Sequence, residues 1–282
     1  MKKPPSGKPG AVQCLDCGRV EAQRGSQCCG AGWIASKRLD KTGIARAYAA
    51  RNGGGYTLEA ELGIIPNGIA EPDFHGWEVK QYAVTNFLKM TPVNAVTLLT
   101  PEPTGGVYSA DIYDFLERYG YPDQSGKPNR RNFGGIYKVG EAAHHLTTLR
   151  LEMTGYNAAK GIVTDDNGTL RLLDPADIVA AEWVFPRLLT HWLTKHAQAC
   201  YVPALANKDA VEYQYSDNLH LFTGTDFLKL LKAMHDGTVY MDPSFNGITT
   251  AGNVRIERRR NQFRVNHKHL PLLYDKHEIV VA

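Results

Sequence analysis

Apolar residues recur along this chain with two different periods, and the change of period marks its elements. Between residues 34 and 52, IASKRLDKTGIARAYAARN predicts a basic helix or a pair of short helices, broken by the glycines at 53 to 55. Thr57 is positioned to cap a helix beginning LEAELGI, in which Leu58, Leu62 and Ile65 fall on one face. From Gly76 the pattern turns to period two: WEVKQYAV and AVTLLTP predict strands. Residues 111 to 119 predict a short helix, and the Pro, Gly, Asn and Arg stretch from Gly120 to Gly135 predicts a long loop. Asn167-Gly168 lies between two β-prone runs and predicts a hairpin. Asp174 and Pro175 open a predicted helix reaching His196, kinked or split by Pro186. Thr225 caps a further helix, DFLKLLKAMHD, that stops at Gly237. The last forty residues return to β character, in GTVYMDP and NVRIERRRNQFRVNHKHL.

These elements predict an α/β protein of one large domain, residues 36–282, behind a Cys-bearing module at 11–35 and a disordered basic tail at 1–10. Composition agrees, with 43% hydrophobic and 22% charged residues in 282, and no apolar run approaches the roughly 20 residues of a membrane helix. The opening MKKPPSGKPG has no apolar stretch of the kind a secretory signal carries. Five cysteines, an odd number with four packed between Cys14 and Cys29, argue against a secreted disulfide framework and for the cytoplasm.

Charge changes the picture more than composition does. The net charge is +3, but residues 1–51 carry +7, residues 251–282 carry +4 and the middle carries −8. Basic ends around an acidic centre suit a protein that grips a polyanion at its edges and gathers carboxylates where chemistry happens.

The chemistry is concentrated in residues 57–81, TLEAELGIIPNGIAEPDFHGWEVKQ. Along a strand, Glu78 and Lys80 share a face while Val79 points the other way. Gly76 permits a tight turn that returns Asp73 to the side of Glu78. Two converging carboxylates suit a hard divalent ion such as Mg²⁺, and an ammonium beside them suits phosphodiester hydrolysis. His75, between the carboxylates, and Gln81, just past the lysine, are secondary candidates. Glu59 and Glu61 compete for the place of a further acid, and either also serves a helix's first turn.

Pro72-Asp73, followed by Glu78-Val79-Lys80, resembles the PD-(D/E)xK nuclease motif. With Thr57-Leu58-Glu59 on the preceding helix and Pro72-Asp73-Phe74-His75-Gly76-Trp77-Glu78-Val79-Lys80, the chain resembles the MvaI/BcnI-like restriction endonucleases, and more distantly the MutH nicking enzyme. TLLTPEP, KHAQACYVPA, GTDFLKLL and RRNQFRV extend the likeness across residues 50 to 270. The resemblance implies a PD-(D/E)xK core with a central mixed sheet flanked by helices, a catalytic part at about 50–160 and a β-rich DNA-recognition part at about 161–282. It implies a monomeric, Mg²⁺-dependent type II enzyme cutting double-stranded DNA at a short, GC-rich site, with a cognate DNA methyltransferase in the same system. Its catalytic residues are then Glu59, Asp73, Glu78 and Lys80, with Asp73 and Glu78 holding Mg²⁺. A DNA-binding protein without catalysis and a repair-type nicking enzyme remain the alternatives.

Two features lie outside the motif. Cys14, Cys17, Cys28 and Cys29 form C-x2-C-x10-C-C, a candidate structural zinc site although its second half lacks the usual C-x2-C. Arg255, Arg258, Arg259, Arg260, Arg264, His267 and Lys268 crowd one β-prone segment and are candidates for contacting DNA, as are Arg130 and Arg131 in the predicted loop.

Overall fold

The computed structural model describes residues 32–66, 71–90, 92–250 and 253–281. The cysteines of the proposed zinc module, Cys14, Cys17, Cys28 and Cys29, lie outside the described residues. The chain opens with strands Ile34–Ala35 (β1), Lys37–Leu39 (β2) and Ala45–Ala47 (β3), then helix Gly53–Glu61 (α1) and strand Glu78–Ala83 (β4). Next come Val96–Leu99 (β5), helices Val107–Ala110 (α2) and Ile112–Tyr119 (α3), and strands Tyr121–Pro122 (β6) and Arg130–Gly134 (β7). Strands Arg150–Thr154 (β8), Tyr156–Asn157 (β9), Ile162–Val163 (β10), Thr169–Leu173 (β11) and Val179–Val184 (β12) lead to helix Phe185–His196 (α4). Gln198–Asn207 (β13), Glu212–Tyr215 (β14) and Asn218–Thr223 (β15) precede helix Phe227–His235 (α5). Val239–Met241 (β16), Ser244–Thr250 (β17), Asn253–Arg260 (β18), Phe263–Val265 (β19) and Lys276–Val281 (β20) complete the order, the last two separated by a 3-10 turn, His267–Leu273. None of the described helices is long and apolar enough to cross a membrane.

The chain divides into two compact units, neither of them a continuous stretch. The first comprises residues up to 93 together with 198–222 and 277–282. Its frame is a six-stranded sheet in the order β1-β14-β13-β15-β20, with β4 paired to β13. That pairing is parallel, from Ala199↔Glu78 to Ala204↔Ala83, whereas β13 meets β14 antiparallel, so the sheet is mixed. Helix α1 packs on one face, where Leu58 joins Cys200, Val202, Ala204 and Tyr215 in a core that Val79 and Trp77 extend. Each such apolar side chain withdrawn from water stabilises by about 1.5–3 kcal/mol.

The glycines expected to end the preceding basic helix instead build the first turn of α1. A β-carbon at Gly53 would meet Tyr213 Oη at 2.8 Å, and one at Gly54 would meet Gln81 Oε1 at 2.9 Å, so a larger residue would have to push these side chains aside where the helix meets the sheet. Thr57 is therefore inside the helix, fully buried, where its hydroxyl accepts from the Lys37 amide at 3.0 Å rather than capping. The segment expected as a basic helix is instead β1 and the β2–β3 hairpin. Asp40 explains this: its carboxylate accepts from the Thr42 and Ile44 amides at 3.0 and 3.1 Å, and Gly43 takes φ +80°, which closes a turn.

The second unit comprises residues 94–197 and 223–276. It contains three sheets of three or four strands: β12-β11-β8, β16-β19-β5 and β18-β17-β7-β6. The short helix expected over residues 111 to 119 forms as α3, capped by Asp111, which accepts from the Tyr113 and Asp114 amides. Asp226, not Thr225, caps α5. Three further expectations change. The Gly120–Gly135 loop contains β6 and β7. Asn167-Gly168 does not join β10 to β11, because β11 pairs with β8 and β12 while β10 pairs with β9. The helix expected from Asp174 begins only at Phe185; Asp174 holds a turn by accepting from the Ala176 and Ile178 amides, β12 follows, and Pro186 opens α4 instead of kinking it.

This unit's core includes a buried histidine. His196, fully buried, stacks on Trp192 with ring centroids 4.3 Å apart and hydrogen-bonds through its two nitrogens to Tyr274 Oη at 3.0 Å and the Leu98 carbonyl at 2.9 Å. Elsewhere Phe115 packs against Phe133 and Phe245 beneath the β18-β17-β7-β6 sheet.

In the turn between β13 and β14, Val211 is held at φ +54°, a conformation in which a β-branched side chain is strained, while its carbonyl accepts from the Ser36 amide at 2.9 Å. Asn tolerates this conformation, so Val211→Asn relieves about 1 kcal/mol and raises the thermal unfolding midpoint by roughly 2–4 °C. A midpoint that stays put or falls refutes the strain.

Candidate active site

The site is built at the first residues of β4. Phe74 and Trp77 exchange backbone hydrogen bonds of 3.0 and 2.8 Å across His75-Gly76, whose φ values of +46° and +85° make a two-residue turn of the kind that matches strand twist. The turn folds residue 73 back beside the strand. There the Val79 amide donates to Asp73 Oδ2 at 3.1 Å, fixing this carboxylate next to Glu78.

Glu78 is almost fully buried, at 1% exposure. Lys80 Nζ donates to Glu78 Oε1 at 2.6 Å, and its side chain remains 19% exposed. The ion pair joins two side chains that the period of two places on one face, and the β13 partners of that face are Ala199 and Tyr201. A buried carboxylate is costly to desolvate, and the adjacent ammonium offsets that cost.

Asp73, Glu78 and Lys80 are thus brought together. Glu59 stands on α1, the helix whose Leu58 packs on the Val79 face of β4. Among the described residues no three His, Cys, Asp or Glu side chains form a group able to hold a metal. Glu61, the competing acid, is ion-paired to Lys37 on β2. His75 is exposed in the turn, its ring edge-on to Phe74 at 4.4 Å. Gln81 lies on the α1 face against Gly54. Cys200, opposite Val79, is a core residue whose thiol burial pushes up to about 11.

The candidate DNA-contacting residues belong to the second unit. Arg255, Arg258, Arg259 and Arg260 lie exposed on β18, and Arg130 and Arg131 lie on β7, two strands away in the same sheet. Register sorts them. Ile248, Asn246 and Ser244 of β17 share a face, and their partners on β18 are Arg255, Arg258 and Arg260. Arg255 and Arg258 are three positions apart and would face opposite ways in a regular strand; the irregularity at Asn246/Gly247 adds the residue that restores them to one side. Arg259 falls on the other face and meets Glu102 at 3.4 Å.

Other arginines are committed to the fold. Arg131 donates to the Leu116, Glu117 and Gly120 carbonyls, closing the C-terminal end of α3. Arg264 bonds Asp242 and, at 2.7 Å, the Ala95 carbonyl. Arg130 bonds Asn132 at 3.2 Å and lies 3.3 Å from Asp123. His267 and Lys268 open the 3-10 turn, where Asn266 accepts from the Lys268 amide. Most of these partners lie seven or more residues from their arginine, so little in the local pattern distinguishes a structural arginine from a displayed one.

Comparison with known structures defines the class first. The fold is that of a restriction endonuclease: one match is to "Restriction endonuclease MvaI-cognate DNA substrate complex", with a TM-score of 0.61, 19% identity, and coverage of 89% of this chain and 92% of that one. "Restriction endonuclease MvaI in the absence of DNA" aligns at a TM-score of 0.46 and 17% identity, over 74% of this chain and 80% of that one. Residues 26–274 match the MvaI/BcnI restriction endonuclease family model, and the chain belongs to that family. It is a type II restriction enzyme, cleaving DNA at a specific sequence. Cys14 and Cys17 precede the matched residues. No curated protein matches the chain in sequence.

The turn can be tested apart from catalysis. Gly76→Val places a β-branched residue at φ +85°, at a cost of at least about 1–2 kcal/mol, and frees Asp73 from the Val79 amide. Hydrogen exchange at Val79 then accelerates while amides in β14 and β15 keep their rates. Unchanged protection at Val79 means that the turn does not hold Asp73.

Proposed function

We propose that Asp73, Glu78 and Lys80 form the catalytic site of a PD-(D/E)xK nuclease core, in which Asp73 and Glu78 hold Mg²⁺ and Lys80 serves the reacting phosphate. The observation that carries this reading is the convergence of two carboxylates and a lysine at the start of one strand, with Lys80 bonded to Glu78 at 2.6 Å. The donor set fits the ion: two adjacent carboxylates repel one another, and a hard divalent cation is what neutralises them while keeping positions for water and phosphate oxygen. When bound, Mg²⁺ lowers the pKa of water and offsets charge on the phosphate.

The chain's own groups do the rest. The Val79 amide and the His75-Gly76 turn hold Asp73 in place. Lys80, on the face shared with Glu78, supplies an ammonium that orients the attacking water or donates to a phosphate oxygen as negative charge develops. Attack of water on phosphorus forms one P–O bond as another breaks, and the leaving oxygen takes up a proton.

For DNA we assign the Arg255, Arg258 and Arg260 face of β18 to contact with the duplex, phosphate first and base edges second. The bidentate match of arginine to guanine favours a GC-containing site, and supports a short GC-rich recognition sequence. We further propose that the enzyme acts as a monomer, beside a methyltransferase that protects the same site.

Incubating full-length protein with plasmid DNA and Mg²⁺ yields discrete fragments. Asp73→Asn and Glu78→Gln each abolish cleavage while retaining DNA binding, Lys80→Met slows it by about 10²–10⁴-fold, and Ca²⁺ supports binding without turnover. Cutting at the normal rate by the Asp73 variant disproves the assignment.

Alanine at Arg255, Arg258 or Arg260 weakens DNA binding with little change in melting temperature, by about 1–3 kcal/mol at the cognate site alone if the side chain reads a base, and alike on every sequence if it holds phosphate. Arg131→Ala and Arg264→Ala instead lower the melting temperature. The reverse pattern overturns the sorting by register.

A further inference from the structure

One group of side chains in the catalytic unit has no part in the reading above. Tyr82 lies two residues beyond Lys80 and four beyond Glu78, so all three occupy one face of β4. Its hydroxyl meets His220 Nε2 of β15 at 3.4 Å, and the two rings are edge to face. His220 Nδ1 in turn meets His277 Nε2 of β20 at 3.2 Å. Tyr82 and His220 are buried, and His277 is exposed.

A second path runs beside the first. The His277 ring stacks on Phe222 with centroids 4.3 Å apart and planes within 1°, Phe222 meets Tyr201 edge-on at 5.4 Å, and Tyr201 is the β13 register partner of Lys80. Both the Lys80 and the Tyr82 positions of β4 are therefore tied to His277, one through rings and the other through hydrogen bonds. A neutral imidazole has one donor and one acceptor nitrogen, so His220 can serve Tyr82 and His277 together, with the hydrogen bonds running in a single direction.

Resting on the catalytic reading of Glu78 and Lys80, we propose that His220 is a positioning residue of the nuclease: bridging Tyr82 and His277, it holds β4 at the height along β13 that presents Lys80 to the reacting phosphate. Few other side chains could do this from β15. Leucine would fill the space but leave the Tyr82 hydroxyl buried without this partner, and lysine would bring a second cation close to Lys80. Sub-ångström placement matters because displacing a catalytic group by about 1 Å costs about 10²-fold in rate.

The test uses full-length protein, Mg²⁺ and a supercoiled plasmid that the wild-type enzyme cuts, with single-turnover rate and DNA affinity measured separately. His220→Leu is expected to lower the rate at saturating enzyme about tenfold or more while the Kd for the plasmid stays within twofold. His220→Gln, whose amide reaches the Tyr82 hydroxyl, restores the rate to within about threefold of wild type. Tyr82→Phe, which removes one hydroxyl and keeps the ring, reproduces the loss seen with leucine. Wild-type rates in His220→Leu and Tyr82→Phe overturn the proposal, as does an equal fall in rate, affinity and melting temperature, or a failure of glutamine to rescue. If Asp73→Asn and Glu78→Gln are inactive while the His220 variants cut normally, only this inference falls. A wild-type rate in the carboxylate variants brings down the catalytic reading itself.

Discussion

Parallel pairing of β4 with β13 decides which face of β4 disappears into the core and which lies beside Tyr201. The register from Ala199↔Glu78 to Ala204↔Ala83 sets Val79 against Leu58 and Cys200, and by alternation places Glu78, Lys80 and Tyr82 on the other side. A slip of one residue would exchange the two sets. It would bury Lys80 against α1 and turn Val79 toward the reacting groups. The glycines of α1 belong to the same constraint, since the helix approaches closely enough for Gly54 to meet Gln81, the residue between Lys80 and Tyr82.

The ion pair that this register creates is an expensive piece of structure. Glu78 is nearly all buried, and removing only one partner of such a pair leaves an uncompensated charge costing about 3–5 kcal/mol. A hydrophobic pair of the same volume would fold as well or better. Stability alone therefore gives no reason for the pair, and the chemistry proposed for it does. The His196 and Arg131 networks of the other unit are different in kind, because there the polar groups are satisfied by backbone carbonyls and neighbouring side chains of the fold itself.

The sequence was most legible where one local rule sufficed. Period two placed Glu78 and Lys80 together, Gly76 announced the turn, and Asp111 announced its helix. It was least legible where partners are remote. The stretch ADIVAAEWV contains a strand, β12, because β11 lies beside it, yet a short apolar run of this kind reads equally well as helix. Asn167-Gly168 carries a hairpin signal that long-range pairing of β11 with β8 overrides. The arginines were the hardest to sort, since Asp242 for Arg264 and Glu102 for Arg259 come from distant segments. The hairpin of β2 and β3 was missed for another reason: the turn chemistry of Asp40 and Gly43 was present but was outweighed by the basic, alanine-rich composition around it.

The discontinuous chain path of the catalytic unit has a temporal side. Strand β4 ends at residue 83 and its partner β13 begins at residue 198, with much of the second unit encoded between them. At about 5–20 residues per second, a ribosome extends the chain for on the order of ten seconds after β4 emerges before β13 exists to receive it. Until then Glu78 and Lys80 lack the β13 register that sets their face, and the site proposed here is incomplete on the nascent chain. Synthesis order thus sets when this sheet can close.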